Sequence, residues 1–249
     1  MVWDEFNNIW SQYFYKENAT LLENGKTAIK QALKHLKSKK VALPTYTCHR
    51  VLQACLETGV KPYIIDCGLD LQIDLSKIPN KVDTIIIPHM FGIQVQEIRQ
   101  ISDKYKIIED CSQCIGLKDL GKFSDVVIAS TGPTKWLNAG ENKEKGGSIF
   151  AFNGDNIYTP FESYIAKKLN KMYLDIPKLL DSRIQKADEL FNAGIIMIGE
   201  DRPNSWLRAL YFGKQKRVPY TPLHDMYPGF KCPIVDNYKN KLDWISIFP

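Results

Sequence analysis

The 249-residue chain reads as an α/β protein, a mostly parallel sheet flanked by helices. Two observations predict this. Short, nearly continuous apolar runs such as VALP (41–44), VDTIIIPHMFG (82–92) and DVVIAS (125–130) have the length and composition of strands buried on both faces. Between them lie segments with apolar residues at helical spacing, and a strand–helix alternation of this kind builds a parallel sheet covered on both sides.

In chain order, residues 5–16 form an amphipathic lead helix, and Gly25 opens a second helix from Thr27 to about Leu36. VALP is the next strand. A helix from about Arg50 to Thr58 follows, stopped by Gly59. KPYIIDC (61–67) and VDTIIIPHMFG are strands, and QVQEIRQISDKY (94–105) is expected to be a helix. KIIEDC (106–111), DVVIAS and GGSIFAF (146–152) complete the strand set.

With 44% hydrophobic and 24% charged residues, the composition suits one globular unit or a large domain with a small satellite. No apolar run approaches a membrane span, and the N-terminal MVWDEFNNIW is acidic where a signal peptide is basic, so a cytoplasmic protein is expected. The 33 basic and 28 acidic residues give a net charge of +5, spread in ones and twos; this argues against a nucleic-acid partner and suits a phosphorylated small molecule. Six cysteines in such a chain are expected as buried free thiols. CSQC (111–114) has no second pair or histidine cluster beside it, so it reads as small packing residues rather than a redox or metal site.

Ligands of open α/β sheets bind beyond the carboxyl ends of the strands. Thr45, Tyr46, Thr47 and Cys48 follow VALP; Asp110 and Gln113 follow KIIE; Ser130 and Lys135 follow DVVIA. A carboxylate, an amide, an aromatic ring, hydroxyls and one amine thus converge on one rim. GLKDLGK (116–122) matches the first seven positions of a phosphate-binding P-loop. Its eighth position is Phe123, and the following SDVVI has strand composition where a helix is needed, so it reads as a connecting loop.

The ordered set NGKTAI (24–29), LPTYTC (43–48), PHMFG (88–92), IEDCSQ (108–113), SDVVIAS (124–130) and PTKWLNAG (133–140) resembles the DegT-type nucleotide-sugar aminotransferases, and YTPLHDMY (220–227) and ISIFP (245–249) resemble that family's C-terminal signatures. The resemblance implies a pyridoxal 5'-phosphate enzyme of the type I fold with a small C-terminal α+β domain. The expected division is an N-terminal helical segment (1–19), a large cofactor domain (20–180) and a small domain (181–249). It implies that Lys135 bonds to the cofactor aldehyde and shuttles the proton, that Asp110 holds the pyridine nitrogen, and that Gln113 meets the ring hydroxyl. Ser130 and the backbone N–H groups of Gly25 and Lys26 would hold the phosphate, with Tyr46 to Cys48 over the ring.

Cys48 stands where the family usually has an aromatic residue, so ring stacking either falls to Tyr46 or is absent. ENKEK (141–145) expands the loop after the lysine. The chain is also shorter than typical members, the difference falling after about residue 155, where the family carries an asparagine reaching a neighbouring subunit's phosphate; Asn170 is the candidate. Tyr220 and His224 are the expected substrate contacts. The implied reaction moves an amino group from an amino acid, with glutamate as the family donor, onto a keto-sugar nucleotide or related carbonyl compound, in a homodimer. The alternative is a minimal cofactor-binding protein with a regulatory or structural role and little turnover.

Overall fold

The computed structural model describes residues 1–140, 146–155, 161–195, 197–199, 201–212, 222–227, 229–238 and 241–246. The elements are α1 (Val2–Tyr13), β1 (Asn18–Leu22), α2 (Gly25–His35), β2 (Lys40–Pro44), α3 (His49–Glu57), β3 (Lys61–Ile65), β4 (Thr84–Pro88), β5 (Lys106–Asp110), β6 (Val126–Ser130), β7 (Ser148–Phe152) and α4 (Ser163–Asn192). After these come β8 (Arg208–Phe212), α5 (Leu223–Met226), α6 (Pro233–Tyr238) and β9 (Leu242–Ser246).

The main sheet has the order β1-β7-β6-β5-β4-β2-β3. Strands β2 to β6 are mutually parallel, while β7 runs antiparallel to both β6 and β1. Strand alternation divides the core. Ile86, Ile108, Val126 and Ile128 face α2 and α3, whereas Val127 and Ala129 face α1 and α4. Separately, β8 and β9 form an antiparallel pair. The expected α/β fold is therefore present, and the seven-stranded sheet is mostly parallel.

Three local readings are corrected. NATLL (18–22) was not expected as a strand, yet it closes the sheet edge as β1 against β7. The segment 94–105 is not a full helix: it holds one 3-10 turn, Glu97–Gln100. Gln94 N–H donates to Pro203 O (2.9 Å) and Val95 N–H to the His89 ring (3.0 Å), which ties the segment to other loops, and the N–H groups of Ile101 and Lys104 bond three residues back, to Ile98 O (3.1 Å) and Ile101 O (3.0 Å), in 3-10 and turn geometry. The strand read over 82–92 ends at Pro88, and Phe91 and Gly92 turn sharply with φ of 65° and 101°.

Cys111 and Cys114 are free, fully buried and part of the α1/α4-side core, as small packing residues would be. Burial and the neighbouring Glu109 carboxylate push the Cys111 thiol well above its ordinary pKa. GLKDLGK leads into β6 with no helix between, and Gly121 N–H donates to Glu109 (2.9 Å). Among the described residues, no helix is long and apolar enough to cross a membrane.

Candidate active site

Asn24 begins the site. Its extended backbone and side chain cap α2, accepting from Thr27 N–H (2.9 Å). The cap leaves the N–H groups of Gly25 and Lys26 without a protein acceptor among the described residues, at the positive end of an eleven-residue helix. A Cβ at Gly25 would lie 3.3 Å from Ser130 Cβ and 3.6 Å from its Oγ, so the glycine is what lets the helix start close on the end of β6. Two N–H donors and a hydroxyl form a corner suited to an anion.

A cavity of about 500 Å³ opens from this corner. Gly25, Lys26, Cys48, Asp110, Ser130 and Lys135 all line it. Asp110 ends β5, and one carboxylate oxygen accepts from Ser112 N–H (2.9 Å), leaving the other oxygen for a cation. The Lys135 turn is closed by its own N–H donating to Gly132 O (3.0 Å), and its amine has no ion-pair or hydrogen-bond partner among the described residues. An uncommitted amine, a carboxylate with a spare oxygen and an anion corner match the aldehyde, ring nitrogen and phosphate of pyridoxal phosphate.

Gln113 lies in a narrow cleft continuous with Asp110, Cys48 and Lys135. Its carbonyl oxygen accepts from Phe91 N–H (3.0 Å), which holds that left-handed residue, and its amide nitrogen is 3.6 Å from Met90 Sδ. Tyr46 is elsewhere: it is fully buried, its ring 5.7 Å from Phe91, and it does not line the cavity. Cys48 is the member of that loop which does.

His224 is also outside the cavity. Its Nδ1 is 2.5 Å from Thr45 Oγ1, and Leu223 N–H donates to Thr45 O (2.7 Å), so the C-terminal segment docks on the end of β2. Asn170 is buried on α4 and does not line the cavity, and both atoms of its amide lack partners among the described residues. Tyr220 lies outside the described residues.

Sequence reasoning passed over several neighbours. Asn24, Arg50 and Ser112 line the same cavity; the asparagine before a helical run was a readable cap signal. On the opposite face of β5, Glu109 is almost wholly buried. His89 Nδ1 accepts from Val95 N–H, which puts the ring proton on Nε2, and Nε2–H donates to Glu109 Oε1 (2.7 Å). Gly121 N–H takes the other carboxylate oxygen. No short-range pattern announces that network.

The profile of the DegT/DnrJ/EryC1/StrS aminotransferases matches residues 2–161. The chain belongs to this aminotransferase family. A curated relative, the 3-oxo-glucose-6-phosphate:glutamate aminotransferase of Bacillus subtilis, is 32% identical over 148 positions, covering 53% of this chain. That alignment spans 33% of the relative, so this family member matches about a third of its length.

Solved structures share the fold over nearly the whole chain. NtdA from Bacillus subtilis, with bound PMP, superposes with a TM-score of 0.78 at 21% identity, covering 100% of this chain and 73% of that one. A family aminotransferase from Brucella abortus gives 0.80 at 16% identity, covering 98% and 84%. An aminotransferase from Psychrobacter cryohalolentis gives 0.81 at 12%, covering 100% and 86%.

Proposed function

We propose that this chain is a pyridoxal-phosphate-dependent aminotransferase that takes an amino group from an amino acid, glutamate first, and delivers it to a keto sugar carrying a phosphate or a nucleotide. The observation that carries the reading is the cavity shared by the uncommitted Lys135 amine, Asp110 and the Gly25–Ser130 corner. The name of the 32%-identical relative supports the donor and the sugar phosphate. Arg50 at the cavity supplies positive charge for such an acceptor, the Lys26 amine being paired with Glu57 (2.7 Å).

When bound, pyridoxal phosphate supplies an aldehyde and an electron-withdrawing ring that let an amino group be taken up and passed on. Gly25 and Lys26 N–H groups with Ser130 would hold the phosphate, Asp110 the charged ring nitrogen, and Gln113 would offer its amide N–H to the ring hydroxyl. Cys48 would contact the ring; Tyr46 would support the wall from behind. Lys135 would bind the aldehyde and, once freed, move the proton at the substrate carbon. Tyr220 and His224 are retained as substrate contacts.

The active unit in this reading is a homodimer. Tyr164, Leu174 and Phe191 expose large apolar surface on α4, and the amide of Asn170, without a partner among the described residues, supports giving it one beyond this chain. The large domain would run from 20 to 180 and the small one from 181, although α4 continues unbroken across that point. A cytoplasmic setting is supported by the cysteines, all free thiols.

Borohydride reduction of the yellow holoprotein followed by peptide mapping tests the site: the label belongs on Lys135. In a separate, unreduced sample, addition of glutamate should bleach the cofactor band and yield pyridoxamine phosphate. A label on another lysine removes the assignment, and no bleaching with any of several amino donors leaves a cofactor-binding protein without turnover. Light scattering tests the dimer. Mixing Lys135→Ala with Asn170→Ala chains tests the cross-subunit role of Asn170, which requires partial recovery of activity.

A further inference from the structure

Ser205, fully buried, stands where three loops meet. Its N–H donates to Gly92 O (2.9 Å), in the loop after β4. Its hydroxyl donates to Gln113 O (3.4 Å), in the turn after β5. Its carbonyl accepts from Trp136 Nε1–H (3.2 Å), in the turn after β6, one residue past Lys135. The approach is close: a Cβ on Gly92 would fall 2.8 Å from Trp206 N and 2.9 Å from Leu207 N.

The Trp136 ring is held from its other side by α4. The Arg183 guanidinium carbon lies 4.9 Å from the ring centroid, and Arg183 Nη1 donates to Trp206 O (3.4 Å). Both side chains are buried, Arg183 at 4% and Trp136 at 2% exposure. Burying a guanidinium is costly, and an apolar residue of similar volume would fill the space without that cost. A cation over an indole face is directional and fixes the ring plane, which an apolar residue would not do.

We propose that Arg183, acting through Trp136, is a positioning residue for Lys135, and that the 204–206 segment couples this lysine turn to the Gln113 turn. Trp136 N–H also donates to Ser112 O (3.4 Å), so ring and backbone together fix the peptide from which the Lys135 side chain departs. The C-terminal part of the chain thus sets the direction of the amine without touching it. This inference rests on the reading of Lys135 as the reacting amine, but it concerns the protein's geometry before any cofactor binds.

The test uses the full chain without cofactor. Lysines are acylated competitively with trace reagent, and peptide mass spectrometry compares Lys135 with exposed Lys61 and with Lys16, whose amine is tied to Gly121 O. Arg183→Met and Trp136→Phe should each raise Lys135 labelling relative to Lys61 about threefold or more, as expected when a local restraint opens, with Lys16 unchanged. Arg183→Lys should return it toward the wild-type value. Unchanged Lys135 labelling in folded Trp136→Phe overturns the proposal, even if Arg183→Met does not fold. A parallel rise at Lys16 also overturns it, since that reports general loosening. Failure of the wild-type chain to bind pyridoxal phosphate would count against the proposed function alone, because this readout does not use the cofactor.

Discussion

Replacing Glu109 by Gln tests the hidden half of the β5 end. The carboxylate accepts from His89 Nε2–H at 2.7 Å and from Gly121 N–H at 2.9 Å, with the Cys111 thiol 3.9 Å from one oxygen. An amide keeps one acceptor and turns an NH2 toward the other donor. The loss of one charge-assisted bond, together with a stranded buried N–H, adds up to about 3 kcal/mol. With a urea m-value of about 3 kcal/mol per molar for a chain of this size, the unfolding midpoint should fall by about 1 M. Equilibrium urea unfolding followed by circular dichroism and fluorescence measures it. A double-mutant cycle with His89→Ala should give a coupling of at least about 1 kcal/mol. A midpoint shift below about 0.3 M would mean that the pair is not the structural tie described here.

Asp110→Asn should keep the fold and most cofactor binding while slowing the glutamate half-reaction about 100-fold or more, read by stopped-flow absorbance; rates near wild type rule out the carboxylate's role. Gly25→Val fills the corner against Ser130, where even a Cβ lies at 3.3 Å, and should weaken pyridoxal phosphate binding about tenfold or more, measured by fluorescence titration. Glu57 is held down from its ordinary 4.5 to about 2 by hydrogen bonds from Lys26 and Lys30. A depressed carboxylate stabilises the fold above its unfolded pKa and loses that contribution as pH falls through the folded value. Glu57→Gln should therefore flatten the stability profile between pH 4.5 and 2, and salt should shrink the difference because the pair is exposed; an unchanged profile at low salt would remove the pair from the acid response.

The sheet was legible because its strands are buried on both faces, and Val126 to Ala129 need no partner information to be recognised as such. Asp110, Ser130 and Lys135 were legible for a related reason: strand ends in an α/β sheet form a rim, and each follows an apolar run directly. What failed depended on distant contacts. The helix expected over 94–105 gives way to 3-10 and turn bonding in a segment tied to His89 and Pro203, and NATLL becomes a strand only because β7 offers an edge. Glu109 and Arg183 were missed because their partners are supplied by other segments of the chain.

The site also depends on a parity that no single residue reveals. Glu109 and Asp110 are adjacent on β5, so the period of two sends one toward His89 and Gly121 and the other toward the cavity. A slip of one residue would exchange them, placing a carboxylate tied to two donors where a spare oxygen is needed. The register is pinned at the strand end itself: Asp110 pairs with Pro88 on one side and Ile128 on the other, its carbonyl accepts from His89 N–H (3.1 Å), and Cys111 N–H continues to Ile128 O (2.8 Å). His89 thus acts twice, once through its backbone on Asp110 and once through its ring on Glu109. The residue that stabilises the hidden face is the one that holds the functional face in register, which is why loss of the His89–Glu109 pair should disturb the Asp110 side of the strand as well as lowering stability.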